Sequence, residues 1–102
     1  MRFKVKIEPK ALQDIQAITD WYNERQAGVG KRFQKATVKQ IDSLVNNPHG
    51  WAIRYNEIRC LPVRKFPYMV HFYINESTET VEVLAVISTS RDPEIWKEET
   101  GK

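Results

Sequence analysis

The first residues of the chain alternate between basic and apolar side chains. Phe3, Val5 and Ile7 are separated by single lysines, and this period of two predicts a half-buried strand with a basic outer face. Glu8 and Pro9 end the alternation, and Pro9 suits the first turn of a helix.

Two segments with helical periodicity follow. The apolar stripe of the first consists of Leu12, Ile15, Ile18, Thr19 and Tyr22, with Ala11 beside it. Glycines at 28 and 30 interrupt the pattern. The second stripe consists of Phe33, Thr37, Ile41 and Leu44, flanked by Val38 and Val45, with lysines and an arginine on the other side. Because the connection is short, the two segments predict an antiparallel helical hairpin.

The second half of the chain has the periodicity of strands. Strand segments are expected over 51–55 and 58–63 around a turn at Asn56 and Glu57, then over 66–74 and 81–87. In the third segment one face carries Tyr68, Val70, Phe72 and Ile74, and the other carries Met69, His71 and Tyr73. In the last segment we expect Val81, Val83, Ala85 and Ile87 on one face and Leu84 and Val86 on the other. A strand that is apolar on both faces belongs in the middle of a sheet.

The element order predicts a single α+β domain over residues 1–102. A strand, a helical hairpin and three further strands are followed by a short C-terminal helix from Asp92. Because a helical crossover between two strands is by default right-handed and parallel, the first strand is expected to lie beside the last one and parallel to it. The hairpin then packs on one face of a small, mainly antiparallel sheet and leaves the other face open.

Composition narrows the class of protein. The chain has 102 residues and a formal net charge of +3, and its basic residues are concentrated before residue 75. Its single cysteine, Cys60, excludes a disulfide within the chain and favours a cytoplasmic protein. The apolar runs are too short to span a membrane. Neither metal-ligand spacing nor a glycine-rich phosphate loop occurs, so no metal or cofactor is expected.

Arg91 follows directly on the most apolar strand, at an end where loops commonly carry function. Arg59 and Arg64 lie on, or just beyond, a neighbouring strand. We therefore expect three guanidinium groups to converge on one cationic site able to bind phosphate or carboxylate. The alternative is that Arg91 pairs locally with Asp92 or Glu94, or caps the tail helix.

Two segments carry a resemblance to a known family. RCLPVRKFPYMVHF at 59–72 and VISTSRDPEIW at 86–96 resemble toxins of the ParE/RelE superfamily, nearer to the ParE-like plasmid-stabilisation branch. The resemblance implies the toxin of a bacterial type II toxin–antitoxin system. A cognate antitoxin would wrap it with an extended C-terminal segment, and operator DNA would be bound only through that complex.

The resemblance leaves three functions open. ParE-like members are associated with poisoning DNA gyrase, a non-enzymatic function that we favour here. RelE-like members cleave mRNA in the ribosomal A site, and the third possibility is an inactive homologue that only binds antitoxin. The departures from the family pattern are Trp96, where RelE-type nucleases carry a tyrosine, and Ser88, where many ParE-like relatives have a histidine. Homodimerisation also stays open.

The candidate residues follow from these alternatives. Partner or target binding is assigned to Arg59, Arg64, Lys65, Arg91 and Trp96. For a ribonuclease the resemblance implies Arg91 and Arg64, which would stabilise charge. His71 is added as a base, expected on the open face near Arg64 or simply solvated there. The other possible proton acceptors are His49, Glu57, Tyr55 and Tyr68, although His49 suits a turn.

Overall fold

The structure is a computed structural model that describes residues 2–101. It contains five strands and three α-helices. In chain order these are β1 (Lys4–Ile7), α1 (Pro9–Arg25), α2 (Val29–Ser43), β2 (Ile53–Tyr55), β3 (Ile58–Pro62), β4 (Tyr68–Asn75), β5 (Thr80–Ser88) and α3 (Trp96–Thr100). Single 3-10 turns at Pro48–Gly50 and Pro93–Ile95 precede β2 and α3. The predicted α+β class and element order are confirmed.

The strands form one sheet in the order β1-β5-β4-β3-β2. β1 pairs in parallel with β5, as the crossover rule predicts, and all other pairs are antiparallel. The segment before the Asn56-Glu57 turn is a separate short strand, β2, so the sheet has one strand more than the predicted order counts. Both turn residues have positive φ, 41° and 65°, as a tight two-residue hairpin requires.

Both long helices pack on one face of the sheet and enclose an apolar core. Its buried members are Ala11, Ile15, Phe33, Ile41, Leu44, Leu61, Val63, Val70, Phe72, Ile74, Val81, Val83 and Val86. Leu12 was expected on the buried stripe, but it is 53% exposed while Ala11 is fully buried. The stripe therefore runs through residues 11, 15, 18 and 22, which share one side of an α-helix, and position 12 lies next to it.

The two helices approach closely where the hairpin turns. Gly28 has a φ of 90°, a left-handed conformation that glycine adopts without steric cost. A Cβ atom on Gly30 would lie 2.2 Å from the carbonyl oxygen of Thr19. The Gly30 N–H donates a 2.9 Å hydrogen bond to Asn23 Oδ1. The missing side chain at position 30 thus allows the two backbones to touch.

A β-bulge changes the faces of β5. His71 pairs with Ala85 and Phe72 pairs with Val83, so Leu84 is an extra residue on β5. After the bulge, Val86 joins the core under the helices, whereas Ala85 and Ile87 face the opposite side. The expected alternation of β5 is therefore wrong beyond Val83. The Val86 N–H donates a 3.0 Å hydrogen bond to Asp14 Oδ2 of α1.

The sequence predicted that the second face of the sheet is open. In the structure this face is covered, because the C-terminal tail folds back over it. Trp96 packs there with Ala85 and Ile87, against half-buried Tyr55 and Met69. The short 3-10 turn and α3 thus cover the middle of this face. Within residues 2–101 no helix has the length and apolar composition needed to cross a membrane.

Candidate functional site

Arg91 lies at the C-terminal end of β5, in a cleft between α1, the end of β5 and the tail. The cleft has a volume of about 220 Å³, and its polar lining is Asp14, Tyr68, Ser88, Arg91 and Glu99. The turn that carries Arg91 is fixed by its own backbone, since the Arg91 N–H donates to the Ser88 carbonyl at 3.1 Å. Thr89 N–H donates to the Pro67 carbonyl at 2.9 Å, which ties this turn to the loop before β4. We call the cleft lined by these five polar residues, Asp14, Tyr68, Ser88, Arg91 and Glu99, the Arg91 cleft.

Carboxylates in the Arg91 cleft already have partners. Asp14 accepts the Val86 N–H with one oxygen and the Lys10 ammonium with the other, the latter at 2.6 Å. Glu99 contacts Lys10 at 3.0 Å and Arg91 at 4.0 Å. Burial by itself would lower the pKa of Lys10, but the hydrogen bonds and charges of Asp14 and Glu99 outweigh it and raise that pKa.

Arg91 remains available at the surface. Its side chain is 55% exposed, and its contact with Glu99 is at the limit of an ion pair. Among residues 2–101 neither Asp92 nor Glu94 forms an ion pair with Arg91, so the alternative of local pairing does not hold. Asp92 instead accepts the Glu94 N–H at 2.9 Å and caps the 3-10 turn. Sequence reasoning missed Lys10, Asp14 and Glu99. Asp14 and Val86 are 72 residues apart in the chain, so local patterns in the sequence do not reveal their contact. The i,i+4 spacing of Lys10 and Asp14 was the one signal of this site in the sequence.

Arg64 and Lys65 are at the same end of the sheet, in the turn between β3 and β4. They line a different groove, however, which faces α2 rather than α1. Lys65 has a φ of 69°, and the Phe66 N–H donates to the Val63 carbonyl at 3.3 Å, so the turn is tight. The two cations therefore do not share the Arg91 cleft.

Arg59 lies away from both of these sites. It pairs with Phe72 near the start of β3, and its guanidinium donates to the Trp51 carbonyl at 2.7 Å. It lines a depression with Glu57, Asn75 and Ser77, by the turn between β4 and β5. The expected convergence of three arginines is therefore wrong. β3 runs from Arg59 toward Arg64, so a strand length separates the two.

His71 forms a cluster with Tyr55, Cys60 and Trp96 under the tail, which we call the His71 cluster. Its Nδ1 is 2.8 Å from the Tyr55 hydroxyl and 3.5 Å from the Cys60 sulfur. The ring centroids of His71 and Trp96 are 4.9 Å apart. His71 is 0% exposed, so the expectation of an exposed His71 near Arg64 is wrong. The tail closes the face that was thought to be open.

Burial sets the protonation of the His71 cluster. Burial, and secondarily the charge of Arg54, lower the pKa of His71 to about 4. Burial raises the pKa of Cys60 to about 11 and that of Tyr55 to about 12, despite the hydrogen bond of Tyr55 to Thr100. At neutral pH all three groups are uncharged, so they are typical of buried polar groups rather than of a nucleophile.

Trp96 was assigned to partner binding, but it is only 8% exposed. Its ring lies 5.1 Å from that of Tyr55, and the Arg54 guanidinium lies 5.6 Å from its centroid. In this arrangement its indole anchors the tail on the sheet, and its assignment to partner binding stays a prediction. Its Nε1 is buried without a hydrogen-bond partner among residues 2–101.

His49 takes the turn role that the sequence favoured. It lies in the 3-10 turn before β2, and its Nε2 is 2.9 Å from Glu76. Within the same described range, no group of three or more His, Cys, Asp or Glu side chains is arranged to hold a metal ion. The Arg91 cleft itself offers an exposed guanidinium, which can bind an anionic group.

Similarity to solved structures supports the fold. A chromosomal ParDE toxin–antitoxin system from P. aeruginosa matches with a TM-score of 0.76 and 20% identity, covering 85% of this chain and 96% of that one. A free E. coli RelE toxin in which two arginines are replaced by alanine matches with a TM-score of 0.73 and 12% identity, covering 99% and 96%. The RelBE2 toxin–antitoxin complex from Mycobacterium tuberculosis matches with 0.64 and 17%, covering 86% and 99%.

Sequence comparison identifies the family. No curated protein matches the chain significantly. The family model described as the ParE toxin of the type II toxin–antitoxin system parDE matches residues 5–93, from β1 to the turn before α3. The match includes both segments that carry the resemblance, up to Pro93. The chain therefore belongs to the ParE toxin family.

Proposed function

We propose that this protein is a growth-inhibiting toxin that acts in the cytoplasm by binding DNA gyrase and is neutralised by a cognate antitoxin. The observation that carries the proposal is the character of the Arg91 cleft. It presents an exposed guanidinium, while Asp14 and Glu99 are engaged and His71 is sealed under the tail. Such a surface suits recognition of an acidic partner better than proton transfer.

Proton transfer is the step that the described residues support least. Cleavage of RNA by its 2′-hydroxyl needs a base, an acid and positive charge at the phosphorane. Arg91 supplies charge, but arginine does not deprotonate. His71 has a base's chemistry but no exposed surface, and the pKa of Tyr55 is raised to about 12.

An antitoxin partner is supported by the similar solved structures, several of which contain a toxin together with its antitoxin. The P. aeruginosa and M. tuberculosis structures are toxin–antitoxin systems, and E. coli RelE has been solved with a peptide of its antitoxin RelB. For this chain we propose a plasmid-stabilisation module in which operator DNA is bound through the toxin–antitoxin complex. A homodimer of the free toxin is one further possibility for this module.

A ribosome-dependent mRNA endoribonuclease is the second candidate function. It is favoured by the fold similarity to free E. coli RelE, which extends over 99% of this chain. The cations of the β3–β4 turn, Arg64 and Lys65, also suit an RNA backbone. In that case Arg64 and Arg91 would stabilise the transition state, and the tail would have to move to expose His71.

Induced expression in bacteria separates these functions. We expect growth arrest with filamentation and DNA breaks while mRNA stays intact, and inhibition of gyrase supercoiling by the purified protein. Cuts at codon positions in translated mRNA, without DNA damage, would refute the gyrase proposal. Unimpaired growth with the folded protein present would instead indicate the inactive homologue.

Arg91→Ala tests the site itself. We expect at least a tenfold loss of gyrase inhibition, because the exposed guanidinium is removed while the fold is retained. The matched control is Arg25→Ala, which removes an exposed arginine of α1 that stacks 3.6 Å from the ring centroid of Trp21. Equal loss in both variants would mean that net charge, and not the Arg91 cleft, determines activity.

A further inference from the structure

The groove between α2 and the β3–β4 turn is strongly basic. It has a volume of about 590 Å³ and is lined by Val29, Arg32, Ala36, Lys39, Gln40, Arg64, Lys65 and Phe66. Four of these eight side chains are cations and none is a carboxylate. We call it the α2 groove. It is separate from the Arg91 cleft, which faces α1 and the tail.

The cations of the α2 groove are not neutralised by the protein. Among residues 2–101, none of the four forms an ion pair, although Lys6, Lys10, His49 and Arg91 all do. All four cations are exposed: Arg64 and Lys65 in the β3–β4 turn, and Arg32 and Lys39 on α2. Four like charges around one groove repel one another, and an anionic ligand would relieve this repulsion.

One wall of the α2 groove is formed by a stripe of residues along α2. Val29, Arg32, Ala36 and Lys39 recur at helical spacing, so they form one stripe along the outer side of α2. At 1.5 Å per residue this stripe is about 15 Å long, close to three turns of helix. Gln40 donates a 2.7 Å hydrogen bond to the Pro62 carbonyl and joins the far wall to α2.

The floor of the groove is apolar. Val29, Ala36 and Phe66 are half-buried within it, and Val38 is 44% exposed in an adjoining depression that shares Lys39. An apolar strip bordered by cations matches an amphipathic segment that carries acidic residues beside its apolar ones. Nucleic acid fits less well. The one aromatic ring in its lining, Phe66, is half-buried and packed edge-to-face on Tyr22 and Phe33, so the groove lacks the series of rings on which successive bases stack.

We propose that the α2 groove is a docking site for an acidic amphipathic helix from another polypeptide chain. The acidic residues of the helix pair with the four cations, and its apolar residues cover Val29, Ala36 and Phe66. The proposal rests on the proposed function in one respect, since an antitoxin is the expected source of such a segment. The groove itself is defined only by contacts and charges in this chain.

Synthetic peptides test the groove without any assay of growth or gyrase. The probe is an 18-residue peptide of leucine, alanine and glutamate with leucines at i, i+3, i+4 and i+7. A second peptide has the same composition in scrambled order, and an 18-nucleotide single-stranded RNA is the third probe. Fluorescence anisotropy should show the amphipathic peptide binding at least tenfold more tightly than the other two. Equal binding of the scrambled peptide, or tighter binding of the RNA, would overturn the proposal.

Charge-reversal variants locate the binding. Lys39→Glu with Arg64→Glu should weaken binding of the amphipathic peptide at least tenfold, whereas Lys31→Glu with Lys97→Glu makes the same change of net charge outside the groove and should stay within twofold. Ala36→Arg adds positive charge but fills the floor, so peptide binding should fall. Unchanged or tighter binding by Ala36→Arg would contradict docking in the groove. Circular dichroism of each variant verifies that it is folded.

Failure of the two proposals can be told apart. If the peptide does not bind while growth arrest persists, the α2 groove proposal is wrong and the toxin function stands. If the peptide binds as expected while gyrase is unaffected, the α2 groove proposal stands and the gyrase proposal is wrong. Peptide-free association of the chain with itself, measured by sedimentation and abolished by Lys39→Glu with Arg64→Glu, would mean that a second copy occupies the groove and would overturn the assignment to another polypeptide.

Discussion

The two faces of the sheet are closed in different ways. Under α1 and α2 the core consists of aliphatic and aromatic side chains, with Phe33 among the rings of Tyr22, Phe66 and Tyr68. Under the tail lie a histidine, a thiol, a phenol and an indole whose N–H has no hydrogen-bond partner within residues 2–101. Two long helices cover the first face, and a five-residue helix with one 3-10 turn covers the second.

This difference implies unequal roles. Apolar burial stabilises in proportion to the area removed from water, so the helix-covered face supplies most of the stability. The tail-covered face buries polar groups, for which the gain is partly offset by lost hydration. A short cover with few contacts opens at lower free energy than the whole domain. We therefore expect the tail to be the first part of the fold to detach.

The largest effect should come from truncating one large side chain on each face. Phe33→Ala removes a fully buried ring and should lower the free energy of unfolding by about 4 kcal/mol. Trp96→Ala should cost less, about 2 kcal/mol, because the tail can detach without unfolding the rest. Urea denaturation measures both values. Hydrogen exchange should show lost protection only near residues 91–101 in the tryptophan variant.

The comparison fails if the two substitutions are equivalent. A global loss of protection in Trp96→Ala, with a free-energy change as large as that of Phe33→Ala, would mean that the tail folds as one unit with the core.

A smaller but still large effect is expected where the two helices touch. Gly30→Ala places a methyl group 2.2 Å from the Thr19 carbonyl oxygen, which belongs to backbone and cannot move aside. We expect a destabilisation of about 3 kcal/mol from this overpacking, read from the thermal unfolding midpoint. Gly101→Ala is the control at the tail. Its Cβ meets nothing within 4 Å, and only the left-handed φ of 72° costs energy, about 1 kcal/mol. A control that is the more destabilised of the two would reverse our ranking of the faces.

The smallest effect is a pH dependence of the tail-covered face. The pKa of His71 falls from 6.5 to about 4 on folding, so the unfolded chain binds the proton more tightly. This contribution is complete above pH 6.5 and is lost as pH falls from 6.5 toward 4. The full shift corresponds to about 3 kcal/mol, and we expect about 2 kcal/mol because tail opening hydrates the imidazole.

His71→Gln provides the comparison, since glutamine does not titrate but still offers Tyr55 a polar partner. Urea unfolding of both proteins at pH 7, 5.5 and 4.5 gives the difference, in which the carboxylates and the exposed His49–Glu76 pair cancel. Parallel pH profiles for the two proteins would show that His71 is already hydrated in the folded state.

Much of the fold could be predicted from the sequence because it depends on local periodicity. The alternation in β1 and β4, the two amphipathic helices and the Asn56-Glu57 turn each follow from neighbouring residues. The parallel position of β1 beside β5 agrees with the helical crossover that separates β1 from the later strands. The family resemblance also rests on short segments, and the match over residues 5–93 confirms it.

The tertiary structure decided which side chains from distant parts of the chain are in contact. Adding Leu84 to β5 moves Val86 under the helices and turns Ala85 toward the tail, because one extra residue reverses every later side chain. The tail then buries His71, which the alternation of β4 alone cannot distinguish from an exposed residue. The three arginines occupy separate sites for the same reason: the sequence orders them along the chain, but pairing, bulge and packing set their directions in space.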